Sequence, residues 1–402
     1  MSNFDRMLAE ATERPNPRFH GLLMKCVDKS GNTLYEKVIG HASLAPHASP
    51  LRADATLKIG SATKLITSIA LLQCIERNLV GLDDPIASIL PELAHPQIVS
   101  LDPSPNNNLT YTPAREPITP RHLLSHTSGL GYRFLHPTLM KWSSDPNSTY
   151  PGPSTIVMER YNTPLLFEPG QGWMYGSSLD WAGVLVRRLN GNIKLSEYFN
   201  AHIWSVVGRK PPFPTFYADG DVEYQARLLQ AMKRTEGGGL EPAEFVHGNN
   251  PDDEEGGAGL ACTMEDFVAV LQDLVKDEPK LLKSKTIDLM FEPQLPPAPH
   301  PARDMLVRLK PAWSMPAGPV EDEEVNHGLG GLLCLGPAES IGQPKNVLCW
   351  GGASNVVWWI CRDEGVAGFF ATQVSPFGAA RELVDAWKKD CWEEWRRKSG
   401  QY

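Results

Sequence analysis

The sequence predicts a mixed α/β (α+β) protein built around a discontinuous sheet. Two observations carry this. Strand-type runs stand at both ends of the chain, and strongly helical runs fill much of the interval between them. With 402 residues, one large domain with an insertion, or two domains, is expected.

The elements follow in order. Residues 19–42 read as two strands around the turn Lys29-Ser30-Gly31-Asn32. From Ser61, apolar residues recur at helical spacing (Leu65, Ile69, Leu72, Ile75), and Gly81 with Asp83-Asp84-Pro85 closes that run. Residues 100–118 are rich in Pro and Asn and read as a loop. A short helix is expected over Ile118–His126, begun by Thr119-Pro120. Residues 142–172 read as a second long loop, Leu179–Leu189 as a helix, and 209–259 as irregular. Helices are expected over Met264–Lys276 and Lys283–Phe291, then a third, Pro-rich loop over 293–326. Short β-type runs follow at Val347–Trp350, Val356–Cys361 and Val366–Val374, and Arg381–Lys398 reads as a closing helix. The chain thus begins in the sheet, leaves it and returns.

Composition narrows the function classes. A net charge of −9 makes nucleic acid and anionic membrane poor general partners. No stretch approaches the roughly 18–20 apolar residues that span a bilayer, and the opening MSNFDRMLAEATERPNP lacks the apolar centre of a secretory signal; a cytoplasmic location is expected. The seven cysteines are scattered, odd in number and without a C-x-x-C pair, so buried free thiols are expected rather than a disulfide framework or zinc site.

Ser61-Ala62-Thr63-Lys64 is the only Ser-x-x-Lys in the chain. At i and i+3 on a helix the two side chains share a face, with Cβ atoms roughly 5–6 Å apart. A serine is a weak nucleophile until a base takes its proton, and a neutral amine can be that base. A helix N-terminus adds N–H groups that favour an oxyanion. Alone, the tetrapeptide is expected by chance in a chain of this length, and a surface lysine beside a capping serine is then the better explanation. Its context differs: it follows a β-hairpin and opens an apolar helix, where a lysine is out of place. Downstream stand Tyr175-Gly176-Ser177 and Trp350-Gly351-Gly352, the second ahead of the last helix.

With these motifs in place, the chain resembles the serine β-lactamase-like superfamily, in the branch that holds class C β-lactamases and family VIII esterases, and within it the fungal lovastatin-type acyltransferases. The resemblance is dense in SATKLITSIALLQCIERNLVGLDDPI, ITPRHLLSHTSGLGYRFLHP, YGSSLDWAG and GGAGLACTMEDF, and fades over 200–255 and 293–325. It implies a β-lactamase/transpeptidase-like fold: an antiparallel sheet flanked by helices (residues 5–95 plus 258–402) with a mostly helical, loop-rich inserted domain (96–257). It also implies that Ser61 is the nucleophile, Lys64 its base, and Tyr175 the tyrosine that shares the proton with Lys64. Tyr132 matches a second active-site tyrosine. The oxyanion hole is implied at the backbone N–H groups of Ser61 and Ala353, the latter just after Gly351 and Gly352, with Trp350 as a candidate pocket wall.

Two departures from the family pattern bear on substrate. Tyr-x-Asn is Tyr175-Gly176-Ser177, and the Lys-Thr-Gly of penicillin binders is Trp350-Gly351-Gly352. The amide and the cation that would hold a β-lactam are both missing, which favours esters or thioesters. The expected reaction is two-step acyl transfer from an ester or thioester donor, with an acyl carrier protein of a polyketide synthase as one candidate, to an alcohol on a natural-product-like acceptor. No cofactor or metal is required. A carboxylesterase, lactonase or thioesterase would use the same residues; a non-catalytic descendant is disfavoured because Ser61 and Lys64 are both present.

Other matches carry less. Lys29-Ser30-Gly31 and Lys398-Ser399-Gly400 mimic Lys-Thr-Gly but read as a turn and a tail. Tyr198-Phe199-Asn200 reads as packing. His122 and His126 have zinc-pair spacing without the glutamate of H-E-x-x-H, so structural roles are expected. No G-x-S-x-G elbow exists, because Gly352-Ala353-Ser354 lacks its closing glycine. The acidic run Asp252–Glu255 reads as a solvated loop. Trp358 and Trp359 face opposite sides of a strand, one toward the core and the other toward core or pocket.

Overall fold

The computed structural model describes residues 3–104, 106–245 and 251–400. Its centre is a seven-stranded sheet. The strands are β1 (Gly21–Asp28), β2 (Thr33–Gly40), β3 (Val325–His327), β4 (Leu332–Cys334), β5 (Val347–Gly352), β6 (Val356–Cys361) and β7 (Val366–Ala371). Their order is β2-β1-β7-β6-β5-β4-β3, antiparallel at every step. The N-terminal hairpin therefore docks on the C-terminal strands, with Leu23 opposite Ala371 and Cys26 opposite Gly368. Strands β5, β6 and β7 are buried along their whole length, which is why they read as continuous apolar runs rather than alternating ones.

Helices cover both faces. The helices used below are α1 (Asn3–Thr12), α2 (Thr63–Glu76), α3 (Ser178–Leu189), α4 (Met264–Val275) and α5 (Arg381–Ser399). Helix α4 packs on β1, β6 and β7, while α1 and α5 pack on each other and on β2. Trp359 meets Trp392 and Trp387 of α5 at ring-centroid distances of 4.8 and 6.0 Å, and Trp358 fills the other face beneath Gly331. Both tryptophans are core. Every residue of α2 from Thr63 to Leu72 is buried, so this helix lies inside the molecule, with α3 against it. All seven cysteines are free and buried. No described helix is long and apolar enough to cross a membrane.

Several expected loops hold regular structure. Residues 293–326 contain helices Pro301–Arg308 and Lys310–Ala317 and strand β3. Pro301 and Pro311 stand in first helical turns, where no N–H is needed, and Pro316 lies in the last turn of the second helix, so a Pro-rich composition here does not mean a loop. Residues 100–118 include most of a hairpin, Gln97–Leu101 with Leu109–Pro113. Helix α1 had no counterpart in the sequence reading. The acidic run is also corrected: Asp253, Glu254 and Glu255 are buried. Asp253 meets Arg187 at 2.6 Å and accepts the Val157 N–H; Glu254 accepts from the Ser196 hydroxyl and N–H; Glu255 pairs with Arg160 and accepts from Tyr161. The partners lie 58 to 96 residues away, beyond any local pattern. Residues 246–250 of the expected irregular stretch lie outside the described residues.

Candidate active site

Ser61 sits in a 3₁₀ turn, Gly60–Ala62, that runs directly into α2. Gly60 makes the turn possible: its φ of +52° lies in the left-handed region that side chains disfavour. Buried side chains of α2 then fasten the helix. Thr63 donates to the Gly60 carbonyl and accepts the Leu260 N–H, and Thr67 donates to the Gly256 carbonyl.

Strand β5 closes over this turn. A Cβ on Gly352 would lie 2.1 Å from the Ile59 carbonyl oxygen, so only glycine permits the approach. A Cβ on Gly60 would lie 3.4 Å from the Ala353 nitrogen. The backbones around Ser61 and Ala353 are thus neighbours, and both residues line one cavity of about 210 Å³. Its walls are Tyr175, Trp350, Gly351, Gly352, Phe134, Leu135, Ala312 and Phe377. The lining is overwhelmingly apolar, and Phe134, 59% exposed, stands at its rim.

The polar groups converge at the floor. The Tyr175 hydroxyl donates to Ser61 Oγ at 2.5 Å. Lys64 Nζ lies 3.4 Å from Ser61 Oγ, 3.1 Å from Tyr132 Oη and 2.7 Å from the Gly257 carbonyl oxygen. The lysine is buried between two phenol rings, 4.8 Å from the Tyr175 centroid and 5.3 Å from that of Tyr132. Tyr132 in turn donates to Asp180 Oδ2 at 2.9 Å, and Gly257 N–H donates to Asp180 Oδ1 at 2.9 Å. Burial pushes the Asp180 carboxyl up to about 6, with Lys64 pulling it the other way. Burial, with Asp180 adding to it, holds the Tyr132 phenol well above its usual value. Behind Tyr175, at 5.2 Å between ring centroids, His126 is buried and kept neutral by desolvation.

All eight residues singled out in the sequence meet here, with one change of partners. The phenol in hydrogen-bond contact with Lys64 is Tyr132; Tyr175 contacts Ser61 itself. Each tyrosine points where its own loop sends it, and the sequence carries no sign of that. The missed residues are Asp180, Gly257, Glu255 and the wall residues Phe134, Leu135, Ala312 and Phe377. Asp180 did leave a signal: a carboxylate inside the otherwise apolar stretch Leu179–Val186. His122 forms a capping box with Thr119, and Tyr198 is packed in the core. Lys29-Ser30-Gly31 is the β1–β2 turn, and Gly400 ends α5. Ser177 is buried, and its hydroxyl has no hydrogen-bond partner among the described residues.

Comparison with known proteins gives a consistent set. Acyltransferase calJ of Penicillium decumbens is 49% identical over 98% of this chain and 99% of its own length. Lovastatin esterase of Penicillium rubens is 34% identical over 89% of each chain. The solved structure of simvastatin synthase from Aspergillus terreus, in a LovD6 mutant, superposes with a TM-score of 0.86 at 28% identity, covering 98% of this chain and 97% of that one. These relatives are acyltransferases and esterases, and this chain is an enzyme of the same β-lactamase-like serine acyltransferase or esterase kind. The β-lactamase family model matches residues 10–388, and the chain belongs to the β-lactamase family.

Proposed function

We propose that the protein is a serine-dependent acyltransferase that moves an acyl group from a thioester or ester to an alcohol through an acyl-enzyme on Ser61. The observation that carries the reading is the placement of Ser61 Oγ, 2.5 Å from the Tyr175 hydroxyl and 3.4 Å from Lys64 Nζ, at the floor of an apolar cavity. The neutral amine of Lys64 accepts the Ser61 proton as Oγ bonds to the donor's carbonyl carbon. The oxyanion so formed is held by the N–H groups of Ser61 and Ala353. The carbon–sulfur or carbon–oxygen bond breaks, and Tyr175 supplies a proton to the leaving group. In the second step the acceptor hydroxyl loses its proton to the same Tyr175–Lys64 system and attacks the acyl carbon. The Ser61–acyl bond breaks, and Ser61 recovers its proton. No metal or cofactor enters this sequence.

Transfer must outcompete water at about 55 M, which well-held reactants achieve through effective molarities of roughly 10⁵ M or more. The apolar walls Phe134, Leu135, Phe377 and Trp350 favour an organic acceptor over water. The names of the relatives, lovastatin esterase and simvastatin synthase among them, point to acyl esters of fungal natural products; an acyl carrier protein of a polyketide synthase is a donor class this proposal adds. Hydrolysis by the same residues is the second reading, favoured by the 34% identity to an esterase. Intact-protein mass spectrometry with acyl thioesters, with and without alcohols, tests both. An acyl adduct on wild type but not on Ser61→Ala, discharged faster by an alcohol, supports transfer; adduct that yields free acid with every alcohol tried replaces it with the esterase reading.

A further inference from the structure

We infer that Asp180 is a positioning residue for the base: it fixes the hydrogen-bond direction around Lys64 so that the free position on Nζ faces Ser61 Oγ. The inference rests on the proposed role of Lys64 and goes beyond it.

The argument is a count of donors and acceptors. Four groups close a hydrogen-bonded ring: Asp180 to Tyr132, Tyr132 to Lys64, Lys64 to Gly257, and Gly257 back to Asp180. A carboxylate only accepts. Asp180 therefore takes the single Tyr132 proton on Oδ2 and the Gly257 N–H on Oδ1. With its proton committed, Tyr132 Oη can only accept from Lys64, and the Gly257 carbonyl also can only accept. Two N–H groups of Nζ are thus assigned. In the neutral amine the remaining direction is the lone pair, and the remaining neighbour is Ser61 Oγ at 3.4 Å. The assignment needs no contact between Asp180 and Ser61.

The surroundings hold the ring rigid. Asp180 stands in the first turn of α3 and is fully buried. A Cβ on Gly257 would lie 2.5 Å from the Asp180 carboxylate and one on Gly256 would lie 2.6 Å from the Leu179 carbonyl, so both glycines press against α3. The adjoining Asp253, Glu254 and Glu255 are tied by partly buried contacts to Arg187, Ser196 and Arg160. The charged and titratable groups that face Asp180 are Lys64 from α2, Tyr132, Glu255, and Tyr161 with Arg160 behind it. Protonation of Asp180 on Oδ2 reverses the Asp180–Tyr132–Lys64 arm of the ring, while the Gly257 N–H still donates to Oδ1 and the Gly257 carbonyl still accepts from Lys64. The acid donates to Tyr132, Tyr132 turns its own proton toward Lys64, and the lone pair is engaged by a phenol instead of the serine. Since burial places this carboxyl at about 6, the acylation rate falls as the pH drops through that region.

The test uses the full chain and a p-nitrophenyl ester, with acylation followed by nitrophenolate release and by adduct mass. Asp180→Asn mimics the protonated acid, and Tyr132→Phe removes the relay. Asp180→Asn is expected to lower kcat by 10- to 100-fold, leave KM within about threefold, and abolish the acid limb near pH 6. Tyr132→Phe is expected to abolish the same limb, and the double variant to be no slower than the slower single one. The inference is overturned if Asp180→Asn keeps the wild-type rate and limb, if the two effects multiply, or if Tyr132→Phe keeps the limb. Should Asp180→Asn fail to fold, the Tyr132→Phe profile alone decides. Ser61→Ala runs in parallel: residual turnover there removes the proposed function, whereas an inactive Ser61→Ala beside an unaffected Asp180→Asn removes only this inference.

Discussion

Replacing Gly352 by alanine adds a single methyl group at the point where β5 crosses the turn that bears Ser61. The new Cβ would stand 2.1 Å from the Ile59 carbonyl oxygen and 3.0 Å from its carbon. Both are backbone atoms, so no side chain can swing aside. Gly352 has no positive φ, and the obstacle is contact alone. Restoring ordinary separation requires the strand and the turn to part by about 1 Å. That displacement falls between Ser61 and Ala353, whose N–H groups are to hold the oxyanion together. A misplacement of about 1 Å costs roughly a hundredfold in rate, equivalent to about 2.7 kcal/mol. Overpacking adds about 1–3 kcal/mol of destabilisation. The expected result for Gly352→Ala is a kcat/KM on a p-nitrophenyl ester at least a hundredfold below wild type, with a lower urea midpoint. Gly237→Ala is the control, since its Cβ would meet only Thr235 Oγ1 at 4.0 Å. A Gly352→Ala enzyme within fivefold of wild type would show that the close approach of β5 does not position the site.

Three further outcomes are expected. Ser61→Ala should lose at least three orders of magnitude in ester turnover while melting within a few degrees of wild type, because its hydroxyl bonds only to Tyr175 and Lys64 at the cavity floor and to no group that fastens the fold elsewhere; retained turnover would remove Ser61 as nucleophile. Acid should destabilise the fold through His20 and His327, whose folded values are lowered by burial from 6.5 to about 4. A lowered histidine contributes stability that is present above pH 6.5 and lost as the pH falls toward 4, roughly 3 kcal/mol for each. His20 is buried and its lowered value comes chiefly from desolvation, so His20→Phe should flatten that loss in urea titrations between pH 7 and 4; an unchanged slope would refute it. Nitrocefin hydrolysis should be negligible beside turnover of a p-nitrophenyl ester, because Trp350 stands in the cavity wall where a β-lactam carboxylate would need a cation; comparable rates would contradict that reading of the pocket.

The sequence by itself determined the sheet-and-helix class, the return of the chain from N-terminal strands to C-terminal ones, and the helix start that bears Ser61 and Lys64. These rest on local signals: apolar runs in β6 and β7, the helical period from Leu65 to Ile75, and one Ser-x-x-Lys at a helix start. Pro-rich 301–317 was illegible because a proline in a first helical turn and a proline in a loop look alike in a string. Acidic 253–255 was illegible for a different reason. A charge run is solvated unless partners reach it, and Arg187, Ser196 and Arg160 arrive from remote elements. Only the tertiary structure decided that the Tyr132 hydroxyl rather than that of Tyr175 hydrogen-bonds Lys64, and that Asp180 and Gly257 close the ring behind it. Spacing along a chain gives reach within one helix, about 5–6 Å from i to i+3. The direction of a hydrogen bond between four segments depends on how α2, α3 and the loops at Tyr132 and Gly257 pack, and packing is set by the whole core at once.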